Sequence, residues 1–567
     1  MTEPSTSPDS RTGGQILVDA LRIHGVDTAF CVPGESYLAV LDALYDAANE
    51  IRLITCRHEA GAANMAEAYG KLTGKPGVCL VARGPGACHA SIGIHNASQD
   101  STPMVVLVGQ VARPDQDREA FQEIDFRRMF GSMTKWAGQV DQPQRIPEMV
   151  SRAFHIAASG RPGPVVLALP EDMLRERAET RDTGPYRALR THPGSADMAE
   201  LARILGAAER PVMVVGGGGW TPEACERIVA FAEANDLPTC CSFRRQDIFD
   251  NSHHNYIGDL GYAPDPALVE RVGAGDVVLV VGARLGEIAT QHYTLFDPPE
   301  PRQALVHVHP EASILGRVYR PRLAIQSGMP EFAAAARELK PAASAKWRDW
   351  SEAARRDYLA TLTPAPYDGA LDLGRVMLAL RDRLPPDAII ALDAGNFSGW
   401  AMRFLIWRRP RTLLGPQSGA MGYGVPAAVA AKILYPDRVV IGFAGDGGFL
   451  MSGQELATAV HYDAAPIILV FDNAMYGTVR MHQESDHPGR TIATDLTNPD
   501  FAALAAAYGA HGEVVRRTED FIPAFERALD SRKAAVIGLK MDPEVITTRT
   551  TLSALREQAL ARSRDGK

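Results

Sequence analysis

The chain has 567 residues, 46% of them hydrophobic and 22% charged, and its 59 basic and 68 acidic side chains give a formal net charge of −9. At about 100–200 residues per domain, this length holds roughly three or four domains and excludes a single small binding module. The near-average composition excludes disordered and fibrous classes, the acidic balance argues for a small-molecule substrate rather than nucleic acid, and no apolar run approaches the ~20 residues that span a bilayer.

Met1 to Gly14 is rich in Ser, Thr and Pro and has no apolar signal core, so a frayed tail and a cytoplasmic protein are expected. The seven cysteines form an odd set without a Cys-x-x-Cys, which reads as reduced thiols packed in cores. Continuous β-branched runs then alternate with Ala-rich stretches: Ile51 to Cys56, Val78 to Val81, Met104 to Val108 and Val165 to Leu169. A charged, turn-rich stretch from Arg175 to Pro193 interrupts them. Further runs follow at Val212 to Val215, Val277 to Val281 and Leu305 to Val308, a second interruption spans Lys340 to Asp368, and the last runs are Ile389 to Leu392, Val439 to Phe443, Ile467 to Phe471 and Val536 to Leu539. Apolar strands alternating with helices imply parallel sheets covered on both faces. The expected fold class is α/β, with three doubly wound parallel-sheet domains over 12–175, 195–340 and 368–545, each of about five or six strands.

In the central third, Gly216-Gly217-Gly218-Gly219 and Val281-Gly282-Ala283-Arg284 follow apolar runs. Gly-rich strand ends of this kind can cradle nucleotide phosphates, but alone they are weak signals. The last third carries more. Its run Val439 to Ala444 enters Gly445-Asp446-Gly447-Gly448, and Pro466 to Phe471 ends at Asp472-Asn473-Ala474-Met475. Acidic and amide groups thus emerge at the carboxyl ends of strands, where open α/β sheets bind ligands. Asp446 and Asn473 suit two oxygen positions of an octahedral Mg²⁺, a diphosphate suits two more, and a carbonyl near Met475 suits another. Gly445, Gly447 and Gly448 allow backbone N–H groups close to the phosphates, and a helix expected to begin near Ser452 to Leu456 adds a favourable field.

Gly445-Asp446-Gly447 followed by Asn473 resembles the thiamine-diphosphate motif of the 2-oxo-acid decarboxylase and carboligase superfamily. Within it, Gly419-Ala420-Met421-Gly422-Tyr423-Gly424-Val425-Pro426, Gln454-Glu455-Leu456-Ala457, Val32-Pro33-Gly34, Gly84-Pro85-Gly86-Ala87 and Ala120-Phe121-Gln122-Glu123 most resemble the catalytic subunit of acetolactate synthase, in order and over nearly the whole chain. The resemblance implies a pyrimidine-binding first domain, a central domain, and a diphosphate-binding third domain. It implies thiamine diphosphate and Mg²⁺ as cofactors, a small 2-oxo acid such as pyruvate as substrate, transfer of the activated aldehyde to an acceptor, and a homodimer or homotetramer. Glu59, in Arg57-His58-Glu59-Ala60-Gly61, is then the carboxyl group expected at N1′ of the aminopyrimidine, reaching a cofactor held by another subunit. Met421 falls where a bulky apolar wedge bends the cofactor, and Gly84, Phe121 and Gln122 fall in loops lining the substrate side, Gln122 offering an amide to a carbonyl oxygen. Glu67 reads as a solvated or packing residue, and Lys135 and His89 as surface or packing residues.

The match breaks in two places. His482 stands where acetolactate synthases usually carry a Trp, while the neighbouring Arg480 is available in principle to a carboxylate. In the central third, Leu285-Gly286-Glu287 replaces the flavin-contacting continuation, so FAD is admitted without being expected. A lyase or decarboxylase of the same superfamily with another acyl substrate is the alternative, and a noncatalytic cofactor-binding homologue is a third reading.

Overall fold

The computed structural model describes residues 10–342 and 346–565, and the chain forms two compact units that meet in sequence at Arg190 and Thr191. The first unit is built on a six-stranded sheet in the order Arg52–Thr55, Thr28–Cys31, Gly77–Ala82, Met104–Gln110, Pro164–Pro170, Trp136–Gln139, with every neighbouring pair parallel. Its central strands are buried along their whole length, as a sheet covered on both faces requires. The helices Glu59–Thr73 and Arg83–Asp100 pack against each other and against this sheet.

The tail expectation fails from residue 11 onward. Arg11–Thr12 pairs antiparallel with Arg177–Ala178, inside the charged, turn-rich stretch from Arg175 to Pro193, and a helix starts at Gly13. Its signal is a capping box in which the Thr12 hydroxyl accepts the Gln15 N–H and the Gln15 side chain accepts the Thr12 N–H. A β-carbon on Gly14 would lie 2.1 Å from the Ala39 carbonyl oxygen, so the glycines read as a loose end are the point where this helix meets its neighbour's backbone.

The second unit holds two six-stranded sheets. The first, Tyr256–Leu260, Thr239–Ser242, Pro211–Val215, Val277–Val281, Ala304–His309, Leu323–Gln326, is parallel throughout and runs outward from its first strand in both directions, the order of dinucleotide-binding folds. That is a likeness of topology alone. The other sheet, also parallel, has the order Leu413–Leu414, Ile389–Leu392, Val440–Gly445, Ile467–Asp472, Ala535–Lys540, His511–Val515. Its order by appearance in the chain is the same as that of the first unit's sheet. The direction of winding reverses between Ile389–Leu392 and Val440–Gly445, which opens a crevice at their carboxyl ends. Beyond the boundary expected at 545, the helix Leu552–Asp565 packs against Gly477–Asp486, fixed by an ion pair from Arg556 to the fully buried Glu484. Among the described residues no helix is long and apolar enough to cross a membrane, and all seven cysteines are free, with only Cys88 exposed.

Candidate active site

The crevice of the last sheet is lined by Ala394 to Phe397 after one strand, Gly445 to Gly448 after the next, and Asn473 and Met475 to Val479 after the third, with Met421 on its wall. The helix expected near Ser452 starts earlier: Asp446 is the first residue of Asp446–Ser452, directly off the strand. The chain then turns through Gly453–Glu455 into Leu456–His461. With only one short helix at this point, the positive field comes from the free N–H groups of its first turn rather than from a long dipole.

Asp446 is 3% exposed. Its Oδ1 accepts the Gly447 N–H at 2.8 Å, and its Oδ2 accepts from the Asn498 amide at 2.8 Å. The same amide donates to Asp472 Oδ1 at 2.8 Å, and the other oxygen of Asp472 is bonded to Lys540. Burial, and the neighbouring Asp472 carboxylate, raise the Asp446 pKa despite these bonds. Among the described residues Asp446 has no ion-pair partner, so a cation is what this buried carboxylate lacks. Asn473 sits beside it. Its Oδ1 accepts the Met475 N–H at 3.3 Å, while Ala474 takes a left-handed conformation with φ of 56°. The loop is tied down by Leu496 donating to the Ala474 carbonyl and Tyr476 to that of Thr494, at 2.8 and 2.9 Å. The Met475 side chain is buried against Ile546 and Leu552, which leaves only its carbonyl to offer a metal.

Little space remains around the glycines. A β-carbon on Gly447 would lie 2.5 Å from the Tyr476 ring, and one on Gly448 would lie 2.4 Å from Asp393 Oδ2. Asp393 is fully buried and accepts N–H groups from Ala394, Gly422 and Tyr423 at 2.8, 3.0 and 3.3 Å. Burial pushes its pKa up to about 6 against the effect of those bonds. By fixing Gly422 and Tyr423 it sets the half-buried Met421 on the wall between this cleft and a larger cavity. The donor set is therefore all oxygen, from a carboxylate, an amide and a carbonyl, which suits Mg²⁺, and the bare backbone around it suits a diphosphate. Sequence reasoning missed Asp393, Asp472, Lys540 and Asn498. Asp393, which like Asp446 and Asp472 stands at a strand's carboxyl end, could have been found by that position; Asn498 lies in an unremarked Thr-Asn-Pro segment outside any helix or strand.

In the first unit, Glu59 opens its helix, with His58 as N-cap accepting the Ala60 N–H through Nδ1 at 3.1 Å. Glu59 Oε2 is 2.8 Å from His89 Nδ1, and the rings of His58 and His89 stack with centroids 4.4 Å apart. Burial and the adjacent His89 hold the His58 pKa below its ordinary value. His89, read as a surface or packing residue, is half exposed but bonded to Glu59. A β-carbon on Gly86 would sit 3.4 Å from Glu59 Oε1. Gly84, expected in a loop, stands instead in the first turn of the helix Arg83–Asp100, where it donates its N–H to the Gln122 carbonyl at 2.9 Å and so ties the start of that helix to the segment carrying Phe121 and Gln122. Gln122 itself is exposed with φ of 67°, and Phe121 is 77% exposed, so Phe121 fills no core of its own chain.

Of the two readings open for Glu67, solvated or packing, the structure takes the second: it is fully buried, takes a 2.7 Å bond from Thr102 Oγ1 and lies 3.2 Å from Lys71, which also pairs with Asp100. Another expectation is corrected. Arg480 is already engaged, through Nε to Thr494 Oγ1 at 2.7 Å and through Nη2 to Asp495 at 2.5 Å, so it tethers the Asn473 loop rather than waiting for a substrate carboxylate. Lys135 donates to the carbonyls of Ile156 and Ser159 at the end of a helix. His482 faces Tyr262, with Nε2 3.2 Å from the phenol oxygen.

Comparison with known proteins agrees with this arrangement. Residues 11–129 match the N-terminal TPP binding domain of thiamine pyrophosphate enzymes, 198–336 their central domain, and 393–539 their C-terminal TPP binding domain. The chain is 34% identical to the acetolactate synthase large subunit of Parasynechococcus marenigrum, over 94% of this chain and 88% of that protein. It is 31% identical to the acetolactate synthase isozyme 2 large subunit of Escherichia coli, over 94% and 95%, and 30% identical to a probable acetolactate synthase large subunit of Methanocaldococcus jannaschii, over 94% and 92%. A cleft of bare backbone and oxygen donors at a strand switch point, within a chain matched by all three of these domains, places this protein in the family of thiamine-diphosphate-dependent enzymes, as an acetolactate synthase-like member.

Proposed function

We propose that the protein uses thiamine diphosphate with Mg²⁺ to decarboxylate a 2-oxo acid, pyruvate in the first instance, and passes the activated aldehyde to an acceptor carbonyl, as a homodimer or homotetramer. The observation that carries this reading is Asp446, a buried carboxylate with no cation partner among the described residues, set beside Asn473 in a cleft of bare glycine backbone. When bound, thiamine diphosphate supplies a carbanion that adds to the substrate carbonyl and an electron sink for the CO₂ loss.

The residues have separable tasks. Asp446, Asn473 and the Met475 carbonyl would hold Mg²⁺, and the N–H groups of the first turn that Asp446 does not take would hold the diphosphate. Met421 would support the cofactor's bend from the wall. Glu59 of the partner subunit would hold a proton at N1′ of the aminopyrimidine, the step that makes the pyrimidine amine basic. Gln122 would approach the substrate from a loop that is exposed on its own chain.

With thiamine diphosphate, Mg²⁺ and pyruvate, the wild type should release CO₂ and form acetolactate. Glu59→Gln should lose roughly 10²–10⁴-fold in kcat while cofactor binding is retained. Asp446→Ala should lose Mg²⁺-dependent cofactor retention itself. Equal turnover by Glu59→Gln, or unchanged cofactor affinity in Asp446→Ala, would overturn the respective assignment.

A further inference from the structure

We infer that the larger cavity beside the cofactor cleft is a chamber for the tail of a substrate bigger than pyruvate, an amphipathic 2-oxo acid whose apolar chain ends in a second carboxylate held by Arg403. This rests on the reaction proposed above and names the substrate class for that same site. The cavity lies wholly within the second unit and has a volume of 550 Å³, in the range of small-molecule pockets of about 300–1,000 Å³; pyruvate would fill a small part of it. Ala394, Gly395, Asn396, Met421, Thr478 and Val479 line both this cavity and the diphosphate cleft. A substrate whose carbonyl reacts at the cleft therefore has its chain directed into the chamber.

The walls are mainly apolar, with Leu268, Ile288, Tyr358, Met402 and Met481 among them. Four arginines also reach the cavity, and three are committed. Arg271 is paired with Asp357, Arg549 with Asp265 at 3.0 Å, and Arg244 is buried with its Nη groups on the carbonyls of Pro416 and Asp393 at 2.8 and 2.9 Å. Arg403 differs. Its Nε donates to the Thr361 carbonyl at 2.9 Å, and among the described residues neither Nη group has a hydrogen bond or an ion-pair partner. The carboxylates facing it, Asp259 and Asp265, do not reach ion-pair distance, and burial pushes Asp259 up to about 7. A planar fork of free N–H groups in an apolar chamber is the geometry that selects a carboxylate.

The net reaction is balanced without a further reagent. The bond between the carbonyl carbon and the adjacent carboxylate breaks, its electron pair stays on the former carbonyl carbon and is taken up by a proton, and CO₂ and the carboxy-terminated aldehyde leave. When an acceptor carbonyl intercepts that carbon, a new C–C bond forms in place of the C–H bond.

The test uses the full-length protein with thiamine diphosphate and Mg²⁺. Calorimetric titration should show octanedioate binding about tenfold or more tightly than octanoate, since only the diacid can hold one carboxylate on Arg403 while it keeps the other at the cleft end. Arg403→Met should erase that preference. Gly399→Leu should weaken both ligands at least about tenfold, because Gly399 lines the cavity and a β-carbon there meets nothing within 4 Å, so the new side chain occupies the chamber without a clash at its root. When CO₂ release is followed, the preference for 2-oxooctanedioate over pyruvate, taken as the ratio of their kcat/KM values, should fall in both variants. Equal binding of the two acids by wild type overturns the Arg403 assignment, and binding indifferent to Gly399→Leu, or a yellow protein whose flavin Gly399→Leu expels, overturns the chamber. Absence of diacid binding with pyruvate turnover intact refutes this inference alone, whereas diacid binding with no turnover of any 2-oxo acid refutes the reaction and leaves the chamber standing.

Discussion

Glu59 is shaped by one contact that its helix-opening position does not require. A carboxylate in a first turn gains only about 0.3–1 kcal/mol from the helix field, but the 2.8 Å approach of His89 Nδ1 to Oε2 fixes one oxygen and leaves Oε1 to act alone. Without the imidazole the carboxylate is free to leave that orientation, and a misplacement of about 1 Å can cost up to ~10²-fold in rate. His89→Ala should therefore lower kcat by roughly 10- to 100-fold, with the Michaelis constant for pyruvate little changed. His89→Gln, which keeps an N–H donor, should restore most of that loss. An unchanged kcat in His89→Ala would show that the contact only packs the loop. The second histidine of the stack, His58, has its Nδ1 committed to the Ala60 N–H and serves the helix start.

At the scale of elements, the sheets were legible because runs such as Met104–Gln110 and Ile467–Asp472 are buried along their whole length and so carry an unbroken apolar signature. The edge strands Trp136–Gln139 and His511–Val515 were not, because they pair on one side only and mix in polar residues, although the edge strand Arg52–Thr55 was read from its apolar run. The Asp446–Asn473 pair was legible because two adjacent strand ends carry it, whereas Asn498 and Lys540 come from distant stretches that only the fold brings together. Arg480 was misread for the same reason, since its partners cannot be inferred from local spacing. The helix Gly13–Ile23 shows the energetic side of such contacts. It ends at His24, whose Nδ1 accepts the Tyr186 N–H at 3.1 Å and whose ring stacks on Phe154 at 5.0 Å. Burial, with His155 nearby, lowers the His24 pKa to about 4. A histidine whose folded pKa lies below its unfolded value near 6.5 contributes its stability above that pH and loses it as pH falls toward 4. A shift of this size amounts to up to ~3 kcal/mol, reduced by whatever water reaches the ring. The urea midpoint of the wild type should thus drop between pH 6.5 and 4 more steeply than that of His24→Asn, which keeps an acceptor for Tyr186 but does not titrate. Parallel slopes would locate the acid sensitivity elsewhere.

For the whole molecule, the division of labour between the two units sets a condition on assembly. The carboxyl group assigned to the pyrimidine stands in the unit ending at Arg190, and the diphosphate cleft stands in the unit beginning at Thr191. If each reaction centre draws Glu59 from one copy and Asp446 from the other, two inactive proteins must rescue one another. Glu59→Gln carries an intact cleft and Asp446→Ala an intact carboxyl donor, so a mixed dimer has one centre with both defects and one with neither. Random exchange of subunits makes half of the dimers mixed, each with half of its centres intact, and activity should return to about a quarter of the wild-type value. The measurement is acetolactate formation after unfolding and refolding an equimolar mixture, beside each variant refolded alone. If one chain supplied both groups to a centre, every centre in the mixture would carry one defect and the mixture would stay as inactive as its parts. Recovery therefore reports shared centres directly and sets the minimum assembly at a dimer, whether or not dimers pair further.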